Sequence, residues 1–314
     1  MYVVTGATGH IGNTLVRLLI EKSENVKVLA RQFGPALANL NVEIKYGDIF
    51  DVQFLKHEVK DGDIFIHMAG LIDLTNKLKA ESYRVNCDGT KIIADFCLEN
   101  KIKLIYTSSV DAIYKDDMTS DVYEPTLFYP NRFQNVYSAS KAAGTAYIYD
   151  LMQTKGLKAI ILYPSAVIGI NDYKPSAAGK EIRSCFTKRL FFYIKGGYNF
   201  IDVRDTAKAI YQASLLTTSG SYILSGHPVT IRNFYIEIAK NLGKKIFLVR
   251  VPVWLARIGA MFMHDVSNMM VDALVDNYNY INNRMVTDLL PELIPFKTTV
   301  KDTISWFQNR KTGR

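Results

Sequence analysis

The sequence predicts an α/β protein with a doubly wound parallel sheet and a smaller substrate-binding region toward the C-terminus. Three observations lead to this fold class. Short apolar strands alternate with amphipathic helical segments through the first half of the chain, a glycine-rich turn joins the first strand to the first helix, and the alternation stops after Pro164. Strands and helices in this rhythm are typical of βαβ crossovers, which set neighbouring strands parallel.

The first element is the strand Tyr2-Val3-Val4, and a turn with three glycines separates it from an apolar segment of helical spacing. In such a turn the first glycine permits the chain reversal, the second lets a pyrophosphate come close, and the third lets the helix pack on the strand. The helix N-terminus then offers free N–H groups to the phosphates. The turn therefore predicts a dinucleotide site formed by Gly6, Thr8, Gly9, His10, Ile11 and Gly12.

The elements that follow define two parts of the chain. Helical segments, one of them from about residue 77 to 99, separate further strands at residues 26–30, 42–46, 63–69, 103–107 and 158–163. We expect residues 1–165 to form a Rossmann domain that binds the cofactor, and a strand near 221–225 to return to its sheet. Residues 166–314, with helices at 205–217 and 230–242, are predicted to be mainly a substrate-binding region.

Composition excludes several classes of function. The formal net charge is +8, but basic and acidic residues are interspersed and no aromatic–basic module is present, so nucleic acid is not an expected partner. Cys87, Cys97 and Cys185 lack metal-ligand spacing, and the five histidines form no H-x-x-x-H pair, so we predict no metal site.

The chain is expected to be cytoplasmic, because its N-terminus is occupied by the first strand rather than a signal peptide. The longest apolar stretch, residues 251–263, is too short to span a bilayer and contains Arg257. Such a stretch could rest on a membrane surface, but a buried or substrate-lining helix is the favoured interpretation.

A tyrosine and a lysine four residues apart carry the predicted chemistry. In Tyr137-Ser138-Ala139-Ser140-Lys141 the two side chains share one helix face. The ordinary pKa of a tyrosine is about 10, and a nearby ammonium is expected to lower that pKa toward the useful range for proton transfer. Thr107-Ser108-Ser109 ends the fifth strand, where a hydroxyl could donate to a substrate oxygen that gains negative charge.

Taken together, these motifs resemble the extended short-chain dehydrogenase/reductase family, and most closely its dihydroflavonol-reductase and 3β-hydroxysteroid-dehydrogenase-like branch. The resemblance covers nearly the whole chain, and the motifs come in the family's order. Besides the glycine turn, the Ser-Ser strand end and Tyr-x-x-x-Lys, it rests on Gly47-Asp48, His67-Met68-Ala69-Gly70, Asn86-Cys87-Asp88-Gly89-Thr90, Tyr163-Pro164-Ser165 and Val203-Arg204-Asp205.

The resemblance implies a role for each matching residue. Tyr137 would be the catalytic acid/base, and Lys141 would lower its pKa and bind the cofactor ribose. Ser109 would polarise the carbonyl, with its neighbour Ser108 as the alternative, and Asn86 would support an active-site water or the lysine. The remaining expected cofactor contacts are Asp48, Ile49, Ala69, Gly70, Thr107, Ser108, Tyr163, Pro164 and Ser165.

The end of the second strand predicts the cofactor. An acidic residue there would bind the ribose 2′-hydroxyl of NAD, but the sequence reads Leu29-Ala30-Arg31-Gln32. An arginine can instead form a charged fork around a 2′-phosphate. We therefore expect NADP(H) rather than NAD.

The predicted function is reversible hydride transfer between NADP(H) and a ketone or aldehyde, whose product is an alcohol. Dehydration is not expected, because Ser109-Val110-Asp111-Ala112 replaces the Thr-Asp-Glu of dehydratases and leaves Asp111 without a role. A nucleotide-sugar epimerase and a non-catalytic cofactor-sensing protein remain alternatives. Aromatic residues at 191–193 and Trp254 suggest an apolar or aromatic substrate, although core packing explains them equally well; a homodimer is left open.

Overall fold

The computed structural model describes residues 1–73, 75–115, 121–262, 271, 275 and 279–312. Its strands are β1 Tyr2–Thr5, β2 Val26–Ala30, β3 Glu43–Tyr46, β4 Ile64–His67, β5 Lys103–Thr107, β6 Ala159–Pro164, β7 Ala166–Ile168, β8 Leu190–Tyr193, β9 Gly197–Asp202, β10 Gly220–Leu224, β11 His227–Thr230 and β12 Phe247–Arg250.

The helices cover both faces of the central sheet and the C-terminal region. They are α1 His10–Glu21, α2 Val52–Glu58, α3 Lys79–Tyr83, α4 Gly89–Glu99, α5 Val136–Thr154, α6 Ala177–Ser184, α7 Val203–Leu215, α8 Ile231–Asn241, α9 Val253–Phe262, α10 Asn283–Asp288 and α11 Phe296–Thr312. A π-helical turn, Arg84–Asp88, joins α3 to α4.

The central sheet has the order β10-β6-β5-β4-β1-β2-β3, and every neighbouring pair is parallel. Because successive side chains on a strand point to opposite faces, each strand serves two cores. On β5, Leu104 and Tyr106 pack with α4 and α5, whereas Ile105 packs with α1 and α7. The predicted doubly wound parallel sheet is confirmed.

Residues after 165 build two smaller sheets and also contribute to the large one. In the three-stranded sheet, β9 pairs antiparallel with β11 and parallel with β7, and β8 pairs with β12 in a separate parallel pair. A third core, which includes Phe200, Phe234 and Ile304, holds α8 and α11 to these sheets. β10 lies in this later part of the chain but pairs with β6 in the central sheet. The division into two domains at residue 165 stays a prediction.

The helical segment predicted from residue 77 to 99 is interrupted. The π-turn Arg84–Asp88 widens the helix between α3 and α4, at the point where α5 crosses it. The crossing is close, because a Cβ on Gly144 of α5 would lie 2.6 Å from the carbonyl oxygen of Asn86. π-turns of this kind are frequent at functional sites.

Within the apolar stretch at 251–263, Val253–Phe262 form α9, and residue 263 lies outside the described residues. The helix is expected to be buried or to line the substrate site, but only some of its described side chains pack on the protein. Val253 and Ala256 pack against Ile194, whereas Trp254 and Leu255 remain exposed. Within the described residues, no helix combines the length and the apolar character needed to cross a bilayer.

His67, the last residue of β4, links the sheet to α4 from a fully buried position. Its Nδ1 lies 2.8 Å from Oγ1 of Thr5, its Nε2 lies 3.3 Å from Oγ1 of Thr90, and its ring stacks on Tyr106. Burial, and next the positive charge of Lys141, lower the pKa of His67 to about 3. The ring is therefore neutral at physiological pH.

We predict that His67 makes the fold sensitive to acid. The unfolded chain binds a proton at this histidine below its ordinary pKa of 6.5, whereas the folded chain does so only near pH 3. Unfolding is therefore favoured as the pH falls, by about 2–3 kcal/mol at about pH 4.5. Urea unfolding of wild type and His67→Gln at neutral pH and at about pH 4.5 measures this; an equal acid-induced loss in both proteins would contradict it.

Candidate active site

The glycine turn between β1 and α1 leaves no room for side chains at two of its positions. Gly6 has a φ of +74°, and a Cβ there would lie 2.5 Å from the carbonyl group of Met68, just beyond β4. A Cβ on Gly12 would lie 2.3 Å from the carbonyl oxygen of Gly6. The turn is thus held between two strand ends and the first turn of α1.

This turn fits the phosphates of a dinucleotide. Gly9 is the N-cap of α1, no side chain in the described part of the chain caps the helix, and its first turn carries no acidic residue. Thr8 and Gly9 are exposed, so the positive end of the helix dipole is open to an anion. At the end of β5, the buried Oγ1 of Thr107 finds no hydrogen-bond partner within the described residues.

His10 and Asn13 attach a later loop to this helix end. His10 Nε2 lies 2.8 Å from the carbonyl oxygen of Ile170, and Asn13 Nδ2 donates to that of Asn171 at 3.1 Å. Burial lowers the pKa of His10, against the opposing charge of Asp172. The imidazole thus contacts the 170–171 loop, which the sequence did not indicate.

Helix α5 carries Tyr137 and Lys141 on one buried face. Asn135 caps the helix, because its Oδ1 accepts hydrogen bonds from the backbone N–H of Tyr137 at 2.7 Å and of Ser138 at 3.4 Å. Lys141 Nζ donates to the carbonyl oxygen of Thr107 at 2.9 Å and lies 5.0 Å from the centre of the Tyr106 ring. These contacts fix the lysine at the carboxyl end of β5.

The pKa values of Tyr137 and Lys141 differ from the expectation that the lysine lowers the pKa of the tyrosine. Burial lowers the pKa of Lys141 to about 8. The pKa of Tyr137 is raised, first by burial and next by the charge of Asp111, and the nearby Ser109 hydroxyl only partly opposes this. The expected lowering of the tyrosine pKa is therefore not found, because desolvation of the phenolate is the larger effect.

The two serines at the end of β5 face different partners. Ser108 shares a hydrogen bond of 2.7 Å with Thr145 on the inner side of α5. Ser109 caps a short turn by accepting from the backbone N–H of Asp111 at 3.2 Å, and its hydroxyl donates to the Asp111 carboxylate at 3.3 Å. The same hydroxyl is close enough to Tyr137 to favour the phenolate. Ser109, rather than Ser108, therefore lies with the tyrosine.

Asn86 lies in the π-turn and ties three segments together. Its Oδ1 accepts from the backbone N–H of Leu71 at 2.8 Å, and its Nδ2 donates to the carbonyl oxygen of Leu71 at 2.9 Å and to Ser140 Oγ at 3.1 Å. A Cβ on Gly70 would lie 3.2 Å from Asn86 Oδ1 and 3.3 Å from Lys141 Nζ. The asparagine thus positions the loop that borders the lysine.

Several of the predicted cofactor contacts lie at the ends of β2, β3 and β4. Arg31 is exposed and directly follows β2. Asp48 Oδ1 accepts from the backbone N–H of Phe50 at 3.2 Å, and Ile49 packs on the core near Gly89. The backbone N–H of Ala69 donates to Thr5 Oγ1 at 3.4 Å.

The predicted residues at the end of β6 are engaged within the protein. The Tyr163 side chain is fully buried in the core beneath α4 and α5, so any cofactor contact it makes is limited to its backbone. Pro164 pairs with Leu224 of β10. The backbone N–H of Ser165 donates to the Leu224 carbonyl oxygen at 2.9 Å.

Two further site residues have only weak sequence signals. Asp111, which had no assigned role, is half-buried beside Ser109 and Tyr137. Tyr106 places its ring beneath the lysine ammonium, and only its alternate position on β5 could have indicated which face it occupies.

The aromatic residues that suggested an apolar substrate do not share one environment. Phe191 is in the third core, whereas Phe192 and Trp254 are exposed.

The sheet order, the glycine turn and the Tyr–Lys helix together define an extended short-chain dehydrogenase/reductase. A profile of the 3-beta hydroxysteroid dehydrogenase/isomerase family matches residues 3–191. The chain belongs to this family, whose members are NAD(P)-dependent enzymes.

Individual relatives extend the similarity over the whole chain. Sterol demethylase protein B of Methylococcus capsulatus is 24% identical over an alignment of 326 positions, which covers 98% of each protein. The 3-beta-hydroxysteroid dehydrogenase of Mycolicibacterium neoaurum is 24% identical over 310 residues, covering 90% of this chain and 82% of that one. The crystal structure of gox2253 superposes with a TM-score of 0.86 at 24% identity, and the superposition covers 99% of this chain and 98% of that one. Other solved structures of this fold are complexes with NAD.

We predict that Asn86→Ala loosens this site. The change leaves the backbone N–H and carbonyl groups of Leu71 without their side-chain partner, and such a loss costs about 1–3 kcal/mol. Chemical unfolding measures the change. Asn100→Ala is the matched control, because in the described part of the chain that exposed amide makes one hydrogen bond, to the Phe96 carbonyl, and its effect should be well below that of Asn86→Ala. Equal effects would contradict the role of Asn86.

Proposed function

We propose that this protein reduces a ketone or aldehyde with NADPH, in a reversible reaction that uses Tyr137, Lys141 and Ser109. The observation that carries the proposal is the grouping of three buried side chains at the carboxyl end of β5. Tyr137 and Ser109 are close enough for the serine hydroxyl to favour the phenolate, and Lys141 Nζ donates to the Thr107 carbonyl oxygen. Ligands of doubly wound sheets bind at this edge.

Tyr137 is suited to donate a proton to the substrate oxygen. Because burial and Asp111 raise its pKa, the phenol stays protonated at neutral pH, as reduction of a carbonyl requires. Ser109 donates a hydrogen bond to the same oxygen as its negative charge develops. The bound dinucleotide supplies a hydride to the carbonyl carbon.

The residues that would hold the dinucleotide follow from the contacts of the glycine turn. The N–H groups at the start of α1 bind the pyrophosphate, and the turn takes the required shape because Gly6 and Gly12 carry no Cβ that would collide with the backbone. Lys141 and the hydroxyl of Thr107, which has no partner among the described residues, bind the ribose on the nicotinamide side. The exposed Arg31 binds the 2′-phosphate.

The substrate we propose is a large apolar carbonyl compound. The family is named for 3-beta hydroxysteroids, and the Methylococcus relative is named for a sterol. A nucleotide-sugar epimerase is the competing function, since the Ser/Tyr/Lys set serves it too. NADPH oxidation that depends on an added ketone supports reduction, whereas interconversion of UDP-sugars without net cofactor turnover supports the epimerase.

We expect Tyr137→Phe to lower the rate of ketone reduction by roughly 10²–10⁴-fold while NADPH binding is retained, because the variant removes only the proton donor. Ser109→Ala should lower kcat by roughly 10²-fold. Ser108→Ala tests the alternative serine: it removes the bond to Thr145 and should cost about 1 kcal/mol of stability, and we expect its kcat to stay well above that of Ser109→Ala. Steady-state kinetics with NADPH fluorescence titrations test this, and unchanged turnover in Tyr137→Phe would refute it.

For the cofactor, we expect Arg31→Ala to raise the Kd of NADPH by roughly 10–100-fold, the loss of a charged hydrogen bond, with little effect on NADH. Arg232→Ala, which changes an exposed arginine on α8, should leave both values unchanged. Fluorescence titration with each dinucleotide gives the two Kd values. A loss that is equal for NADH and NADPH would show that Arg31 does not select the 2′-phosphate.

A further inference from the structure

The small sheet of β8 and β12 has an outer face made only of apolar side chains. Phe247 pairs with Leu190 and Val249 with Phe192, so these four residues share one side of the sheet. The alternate residues, Phe191 and Leu248, pack into the third core. Phe192 and Phe247 are 64% and 66% exposed, and Leu190 and Val249 are also exposed.

Helix α9 continues this apolar character immediately after β12. Val253 and Ala256 pack on Ile194, which directly follows β8. Trp254 on the same helix is 64% exposed, and Leu255 and Ile258 are exposed with it. We call the seven exposed residues the apolar face: Leu190, Phe192, Phe247, Val249, Trp254, Leu255 and Ile258.

Exposure of this kind departs from the ordinary pattern of a half-buried sheet. Parallel strands such as β8 and β12 normally have both faces of their sheet covered, and a sheet face that contacts water normally carries polar residues. Single exposed apolar residues are common, but a cluster of large ones marks a surface that binds a partner. The apolar face therefore needs an occupant of apolar character.

The charges around the apolar face identify the kind of occupant. Segments 186–201 and 242–262, which form the face, contain no Asp or Glu. They contain seven basic residues, of which Lys188, Arg189, Lys195, Lys245 and Arg250 are exposed next to the strands. An apolar centre with basic residues at both strand ends matches a membrane surface, where acyl chains lie beneath anionic phosphates.

A second copy of the chain fits this face less well. In a symmetric dimer the same patch meets itself, so the basic residues of one protomer would approach those of the other. Like charges brought together in this way oppose association. We propose that the apolar face docks on the surface of membranes that contain anionic phospholipids, with its aromatic side chains in the interface and its basic residues at the phosphates.

Vesicle co-sedimentation tests the proposal with the full-length protein. The probes are phosphatidylcholine vesicles and vesicles of equal parts phosphatidylcholine and phosphatidylglycerol. We expect binding to the anionic vesicles that weakens with added salt, because the basic residues act through screened charge. Phe192→Ser combined with Phe247→Ser should weaken binding by roughly tenfold or more.

Two further variants separate the contributions. Arg189→Gln with Lys245→Gln should weaken binding to anionic vesicles by roughly tenfold and reduce its salt dependence. Leu127→Ser with Leu215→Ser is the matched control, since both leucines are exposed outside the apolar face, and its binding should equal that of wild type. Circular dichroism verifies that each variant is folded.

Three results would overturn the proposal. These are absence of wild-type binding to anionic vesicles, equal binding of wild type and the double-serine variant, and a dimer in sedimentation velocity that the double-serine variant converts to monomer while vesicle binding is unchanged. The last result would assign the apolar face to an interface between two copies of the chain. The readouts involve neither cofactor nor turnover, so they are independent of the proposed reaction.

Discussion

The parallel direction of the seven central strands is the constraint on which the site depends. Because the strands run the same way, their carboxyl ends meet at one edge and bring together parts of the chain that are far apart in sequence. The glycine turn, the loop after β4 and the Thr107–Ser109 segment all lie at such ends. Lys141 then connects α5 to this edge through the Thr107 carbonyl. A single helix thus delivers both titratable groups of the site.

Buried polar groups keep this arrangement in one geometry. Asn86 bonds both backbone groups of Leu71, Ser108 bonds Thr145, and His67 lies between two threonines. A buried polar group without a partner is costly, so each pair favours the one packing that satisfies it. The same burial that fixes the side chains also shifts the pKa values of Tyr137 and Lys141. Burial is therefore the common cause of the fixed side-chain positions and of the shifted pKa values at this site.

Much of the fold could be predicted because it follows local patterns. The predicted strand 103–107 coincides with β5, and the order of strands and helices in the first 165 residues follows from alternation alone. The π-turn could not be predicted, since it depends on contacts of Asn86 with Leu71 and Ser140 that no local pattern reveals. The direction of the Tyr137 pKa shift was wrong for a related reason: the sequence gives the charge of the neighbours but not the depth of burial. Alternation along β5 does account for Ser108, which continues the side of Tyr106 toward α5.

The position of β10 in the chain has a consequence for synthesis on the ribosome. All six residues of β6 are buried in the finished fold, and β10 protects one edge of this strand. Residues 220–224 are translated about sixty residues later than β6, so that edge has no strand to pair with while the intervening segment emerges. An unpaired apolar strand edge invites association with other nascent chains. We therefore expect the nascent chain to be prone to association between the synthesis of β6 and that of β10, when a chaperone that covers the free edge of β6 would prevent it.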